Sequence, residues 1–405
     1  MKNLEKNKKK GKKKIVLYNP HEDTVFSDTV VGRIFRKTHS PGGKYSHIIK
    51  YSLEDQGQLI IYVSKKNSLA AKLRYLLLPR KLEIYLWCRF NKIDYKKVQI
   101  IGRGELENLG EGAILWGLLR QIVESDLDFL KNTKVITCFN MSHFIFGSQK
   151  CSDVIKRITP SYLVSESNLF KNSAFFRKYF PNYKKDVLVM NFVPQDRFKS
   201  FKKFSERKNK CVATGTLVEL PISLMDKNFY EFYNINNYQP IRKEIYYNKQ
   251  SLSEFIDSYI NRDTEDPQSK SRIKRIIKFS KDIYKFLFVK IKKNYFSFDI
   301  VKTYNNYKMA VIGEETELPG IGFVECMACG CAYLGQNLPF YKEMGMIPGK
   351  DFITYDGTIK DLKKKILYYQ KHPEELEKIA KKGKRFIEDK CNSTSAIENF
   401  LKNIK

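Results

Sequence analysis

The sequence lacks any uninterrupted apolar run of eighteen residues, so it predicts no helix able to span a membrane. Its first fourteen residues, MKNLEKNKKKGKKK, carry eight Lys and one Glu. No apolar stretch follows these charges, so they read as a disordered basic tail and not as a secretory signal. Cys326, Cys329 and Cys331 stand close together, but a second C-x-x-C pair is missing and no His lies nearby. Tetrahedral zinc needs four ligands, so no metal site is expected. The eight cysteines lie largely in apolar runs and read as reduced, buried, small hydrophobes of a cytosolic chain. Acidic residues are scarce too, 44 against 74 basic ones, and the net charge of +30 implies anionic partners: nucleic acid, anionic lipid or phosphorylated small molecules.

What is present is enough for a folded protein. Of 405 residues, 42% are apolar and 14% aromatic, which suits two domains of about 150–200 residues each. KIVLYNP (14–20), QLIIYVS (58–64), KVQIIG (97–102), KVITCFN (134–140), SYLVSES (161–167) and DVLVMNFVP (186–194) predict buried strands. Residues 68–90, broken at Pro79, and residues 112–130 have helical spacing. A loop with a Pro41-Gly42-Gly43 turn follows the first strand. Residues 195–210 are polar and basic and read as an interdomain linker. KCVATGTL (210–217), KMAVIG (308–313) and CAYLGQ (331–336) continue the alternation. Residues 361–390 predict two helices split near His372-Pro373, and 395–404 a short amphipathic one. Strands that are continuous apolar runs alternating with helices imply an α/β chain with mainly parallel sheets, covered on both faces. The region 223–300 fits this least well. Its residues 270–293 hold ten Lys or Arg against one Asp, with isoleucines and Leu287 near one face.

The stretch ELPGIGFVECMACGC (317–331) carries the chemistry. It has the local plan of a nucleotide loop, strand then glycine turn then helix, but the third glycine of a dinucleotide fingerprint is absent and Glu325 stands in the first helical turn. Gly320 and Gly322 let the backbone approach a ligand. A carboxylate at Glu325 can accept two hydrogen bonds from a vicinal diol, and Glu317, before the glycines, can do the same for a sugar ring. On local physics alone, Glu325 serving the helix dipole and Glu317 lying in solvent explain the pattern equally well.

Glu317, seven intervening residues, Glu325 and then Met327-Ala328-Cys329-Gly330 resemble the donor-site signature of retaining, nucleotide-sugar-dependent glycosyltransferases with the glycosyltransferase-B fold. The specific match spans 313–336, and a looser one covers most of the chain. The resemblance implies two Rossmann-like domains facing across a cleft: 15–200 for the acceptor, 201–390 for the nucleotide-sugar, and 391–405 packing back on the first domain. It implies that Glu325 binds the nucleotide ribose and that Glu317 binds donor-sugar hydroxyls, with Glu314 and Glu315 close enough to compete for that role. The backbone of Gly320, Ile321, Gly322 and Phe323 then meets the sugar and diphosphate, with Gly215 in the turn after the first strand of the second domain.

Relatives often follow that turn with an Arg and a Lys for the diphosphate. Here Val-Glu-Leu-Pro follows, and Arg242, Lys243 or Lys308 is the expected substitute. His143 falls where some relatives place a histidine beside the reacting sugar, although a structural histidine is the alternative. The expected activity is sugar transfer to an acceptor hydroxyl with retention and without a metal or other cofactor, in bacterial surface glycan or glycolipid synthesis. The acceptor is then a glycan or lipid-linked precursor, met at the inner face of the cell membrane through 270–293, with no nucleic acid as partner. A basic nucleic-acid-binding protein and a catalytically silent glycan-binding relative are the alternatives.

Overall fold

A computed structural model describes residues 13–19, 42–63, 81, 84, 85, 88, 93–142, 144–219, 226–263 and 298–404. Nearly all of the basic tail, most of the loop 21–45 and of the helix at 68–90, and the whole basic segment 270–293 lie outside the described residues, as does His143.

The first sheet has seven parallel strands: β1 (Lys14–Asn19), β2 (Leu59–Val63), β3 (Val98–Ile101), β4 (Ala113–Leu118), β5 (Ile136–Asn140), β6 (Tyr162–Ser165) and β7 (Leu188–Val189). Their order is β3-β2-β1-β4-β5-β6-β7, with Val16 opposite Ile60 and Leu115. Side chains alternate between two cores. Val16, Tyr18, Ile60, Tyr62, Leu115 and Phe139 enter one; Ile15, Leu17, Leu59, Ile61, Ile114 and Cys138 enter the other. A sheet buried on both faces can be built only from near-continuous apolar strands, which is the pattern these segments have.

The stretch 112–130 is not one helix. It opens with β4, a central strand buried along its whole length, passes through two single 3-10 turns and reaches α-helix at Leu127–Asn132. A strand buried on both faces loses the two-residue alternation that would separate it from a buried helix, and its apolar run then fits both periods. Likewise, only Leu188 and Val189 of 186–194 pair as strand.

The second sheet has five parallel strands: β8 (Lys208–Val218), β9 (Ile256–Asp263), β10 (Tyr307–Val311), β11 (Ala332–Gln336) and β12 (Ile353–Tyr355), in the order β12-β11-β10-β8-β9. β9 and β12 were not legible as strands in the sequence. β9 ends in polar residues at the sheet edge, beside β8 alone, and β12 is three residues long.

Helix α1 (Gly42–Glu54) covers the first sheet, and α2 (Ala174–Tyr179) follows β6. Helices α3 (Lys227–Tyr233) and α4 (Pro240–Tyr247) lie between β8 and β9; α5 (Gly322–Ala328) and α6 (Pro339–Met344) follow β10 and β11. Ile359–Lys371 and Pro373–Lys390 are the paired helices on either side of His372. The last helix, α7 (Ser393–Lys402), sends Ile397 and Phe400 into the core of the first sheet beside Ile48 of α1.

Among the described residues, contacts on two sides tie the halves together and border the crevice. From the C-terminal half, Phe229 of α3 lies edge-on to Phe175 of α2, with ring centroids 5.1 Å apart, and Phe232 stands 5.6 Å from the same ring. Asp226, just before α3, accepts a hydrogen bond from the Ser148 amide of the first half. Pairs of buried rings of this kind contribute about 0.5–1.5 kcal/mol each beyond the area they bury. On the other side, Glu343 of α6 accepts hydrogen bonds from the Ser167 hydroxyl at 2.8 Å and the Asn168 amide at 3.0 Å. The residues that meet here follow the carboxyl ends of β5, β6, β8 and β11. The carboxyl edges of the two sheets therefore face each other.

Candidate functional site

The crevice at the carboxyl ends of parallel strands is where open α/β sheets bind ligands, and the glycine turn lies in it. β10 ends at Val311, and the chain then turns through Gly313, which has a left-handed φ of 67°. Arg242 of α4 explains that turn. Its guanidinium is buried and donates from Nε and Nη2 to the Ile312 carbonyl, from Nη2 to the Gly313 carbonyl and from Nη1 to the Thr216 carbonyl, at 2.8–3.2 Å. Gly215, in β8 with φ 130°, leaves room for it. A Cβ there would come within 2.9 Å of Arg242 Cζ. Four of the five N–H groups of Arg242 are thus spent on main-chain carbonyls, so it braces the ends of β8 and β10 and does not stand free for a diphosphate.

The other two expected bases are elsewhere as well. Lys243 turns to the outer side of α4 and reaches Asn236 Oδ1 at 3.4 Å. Lys308 sits at the amino end of β10 with its ammonium over the Phe204 ring, at the end of the strand away from the crevice.

Glu314 is buried and fully engaged. One oxygen accepts from the Tyr333 hydroxyl (2.7 Å), the Tyr341 hydroxyl (3.0 Å) and the Gln336 amide (2.8 Å). Gly335 beside it has no space for a Cβ, which would fall 2.8 Å from the same oxygen. This network ties β10 to β11 and removes Glu314 from the candidates for sugar contact.

Glu317 is half-buried in the crevice, and one of its oxygens lies 2.5 Å from the Ser173 hydroxyl of the first half. Burial pushes its carboxyl up to about 7, against smaller opposing effects of the Ser173 hydroxyl, Arg177 and the Phe175 amide. Glu325, in the first turn of α5, is also half-buried by its surface, yet protein surrounds it closely enough that desolvation pushes it up to about 7 as well. The Arg197 charge opposes that rise. No described side chain or amide hydrogen-bonds to the Glu325 carboxylate. The two acids differ in this respect: one is held by the opposite domain, the other by no hydrogen bond from the described residues.

Between them, Gly320 and Ile321 are partly exposed, while Gly322 packs on Ile312, where a Cβ would come within 3.0 Å. Phe323 serves the core. Its ring is fully buried among Phe192, Phe340 and Tyr341, and its amide donates to the Gly320 carbonyl at 3.3 Å. Its backbone closes the turn, so the exposed main chain for a ligand is that of Gly320 and Ile321. The three cysteines are packing residues: Cys326 and Cys331 are fully buried, with their thiols near the Phe323 and Tyr304 carbonyls. Among the described residues no group of three His, Cys, Asp or Glu side chains could hold a metal ion. None of the described helices is long and apolar enough to cross a membrane.

Ser173, Arg177 and Arg197 were missed. A Ser before an apolar run is a helix-start signal, and Ser173 does accept from the Phe176 amide at 2.8 Å. That its hydroxyl also looks across the crevice is invisible in sequence.

Residues 284–402 match a family described as glycosyl transferase-like. Over nearly the whole chain the fold is similar to that of HepE from Anabaena, solved with UDP and glucose: 10% identity, 97% of this chain and 99% of that one covered, TM-score 0.54. The same protein solved with UDP-glucose matches equally, at 10% identity, 97% and 99% coverage and TM-score 0.54. Sucrose-phosphate synthase from Thermosynechococcus elongatus matches at 12% identity, with 95% and 97% covered and TM-score 0.51. No curated protein sequence matches the chain.

Proposed function

From a chain that has the glycosyltransferase-B fold and carries a glycosyl transferase-like domain at 284–402, we propose a glycosyltransferase that moves a sugar from a nucleotide-sugar to an acceptor hydroxyl with retained anomeric configuration. The observation that carries this reading is Glu325. A largely desolvated carboxylate to which no described group donates a hydrogen bond costs free energy, and such costs concentrate at sites where a ligand supplies the missing hydrogen bonds. A ribose diol does so with two hydroxyls. To Glu317, at the other end of the glycine turn, we assign hydroxyls of the transferred sugar, with the partly exposed main chain of Gly320 and Ile321 between the two acids.

A departing nucleoside diphosphate needs its developing charge met. With Arg242 bound to carbonyls, Arg197, which already acts on Glu325, is the base we assign to that role. No step in this scheme draws on a metal ion. The acceptor we infer is a glycan or a lipid-linked precursor in bacterial surface glycan or glycolipid synthesis. Ten Lys or Arg in 270–293 would draw the protein to the anionic inner face of the cell membrane, at about 1 kcal/mol for each one near the surface.

HepE was solved with UDP and with UDP-glucose, which makes these the first ligands to try. In a thermal-shift series over nucleoside diphosphates and their sugars, a ligand at 100 times its dissociation constant adds about 2.7 kcal/mol of stability. Glu325→Gln should lose that shift and Glu317→Gln should lose turnover. Turnover persisting unchanged in both variants defeats the proposal.

A further inference from the structure

Glu317 belongs to the second half of the molecule, yet the groups that hold it belong to the first. The Ser173 hydroxyl accepts a hydrogen bond from the Phe176 amide at 2.8 Å. With that lone pair occupied, its proton points at the Glu317 oxygen 2.5 Å away. The direction of this hydroxyl is thus set by the start of α2 and is not left to rotate. The Phe175 amide and the Arg177 charge, both on α2, also favour the ionised form of this carboxylate. Two residues along the chain from Ser173, Phe175 packs against Phe229 of the other half. The α2–α3 ring contact and the Ser173–Glu317 hydrogen bond thus both join the two halves through the start of α2.

We propose that Ser173 is a positioning residue that orients the Glu317 carboxylate from the opposite domain, so that the alignment of the sugar-binding acid depends on the contact between the two domains. This rests on the reading of Glu317 as the donor-sugar acid. A misaligned reacting group typically loses about a hundredfold in rate, and Ser173→Ala should lower kcat by roughly tenfold to a hundredfold, with a smaller change in KM.

Loss of the helix cap alone could weaken any enzyme, so the decisive variant is Ser173→Asp. Aspartate caps a helix as well as serine does, but it brings a second carboxylate against Glu317. Under the proposal Ser173→Asp is worse than Ser173→Ala at pH 8, and its deficit shrinks towards pH 5.5 as the pair takes up a proton. Ser173→Thr, which keeps both hydrogen bonds, restores activity. If serine only caps the helix, Asp and Thr both match the wild type and Ala is the worst.

Thermal unfolding without donor separates the same two roles. Melting temperatures of Ser173→Asp and Glu317→Gln, alone and combined, should be non-additive at pH 8, the glutamine relieving the aspartate's penalty. Additive shifts, or a Ser173→Asp turnover equal to wild type while Glu317→Gln is inactive, overturn the role of Ser173 and leave the donor-sugar reading intact. An active Glu317→Gln removes the reading itself.

Discussion

Removing the Arg242 guanidinium distinguishes a brace from a diphosphate ligand, because the two roles predict opposite results. In the structure Arg242 donates four hydrogen bonds to three carbonyls and is 6% exposed. In Arg242→Ala the Ile312 and Gly313 carbonyls lose these donors in a buried setting, at roughly 1–3 kcal/mol each. The Thr216 carbonyl lies where water can replace the lost donor, and it adds little. With the lost packing of the aliphatic stem, the total is about 4 kcal/mol. For a unit of 150–250 residues, 1 kcal/mol moves the melting temperature by about 2–4 °C, so the C-terminal half should melt about 8–16 °C lower. Arg242→Lys should recover less than half of this, since one ammonium cannot span three diverging carbonyls. Gly215→Ala should mimic the loss, because its Cβ would press on the guanidinium from a φ of 130°. The assay is thermal unfolding, run with and without whichever nucleoside diphosphate stabilises the wild type. An Arg242→Ala protein within about 1 kcal/mol of wild-type stability that has lost that response would refute the brace and restore the ligand.

Two further outcomes follow from the geometry. The Glu325 carboxyl is raised from 4.5 to about 7, so it takes up a proton more readily folded than unfolded; its penalty is absent below about pH 4.5, grows to pH 7 and is constant above. Glu325→Gln should therefore be more stable than wild type by about 3 kcal/mol at pH 8 and no more stable at pH 4.5, while binding no nucleotide-sugar; equal stability at both pH values contradicts the desolvated carboxylate. Phe175→Ala should cost about 3–5 kcal/mol and loosen the contact between the halves, read as faster proteolysis between residues 195 and 210; an unchanged cleavage rate would show that the α2–α3 rings do not hold the halves together.

The sequence by itself determined the alternation of strands and helices, the parallel character of both sheets and the glycine turn between Glu317 and Glu325. Those features are local: a buried strand announces itself by its own apolar run, and a turn by its own glycines. It left 112–130 ambiguous, because a strand buried on both faces has lost the alternation that distinguishes it from a helix. Tertiary structure alone decided what each charged side chain meets. Arg242, Lys243 and Lys308 have the same formal charge and equal standing in the sequence, yet one is buried against three carbonyls, one faces outward and one lies at the far end of its strand. Glu314, Glu317 and Glu325 are likewise three acids within twelve residues. The first is consumed by tyrosines, the second is held by Ser173 from 144 residues away, and the third accepts no hydrogen bond from any described residue. Partners of this kind are fixed by packing between segments distant in the chain, and no local pattern encodes them.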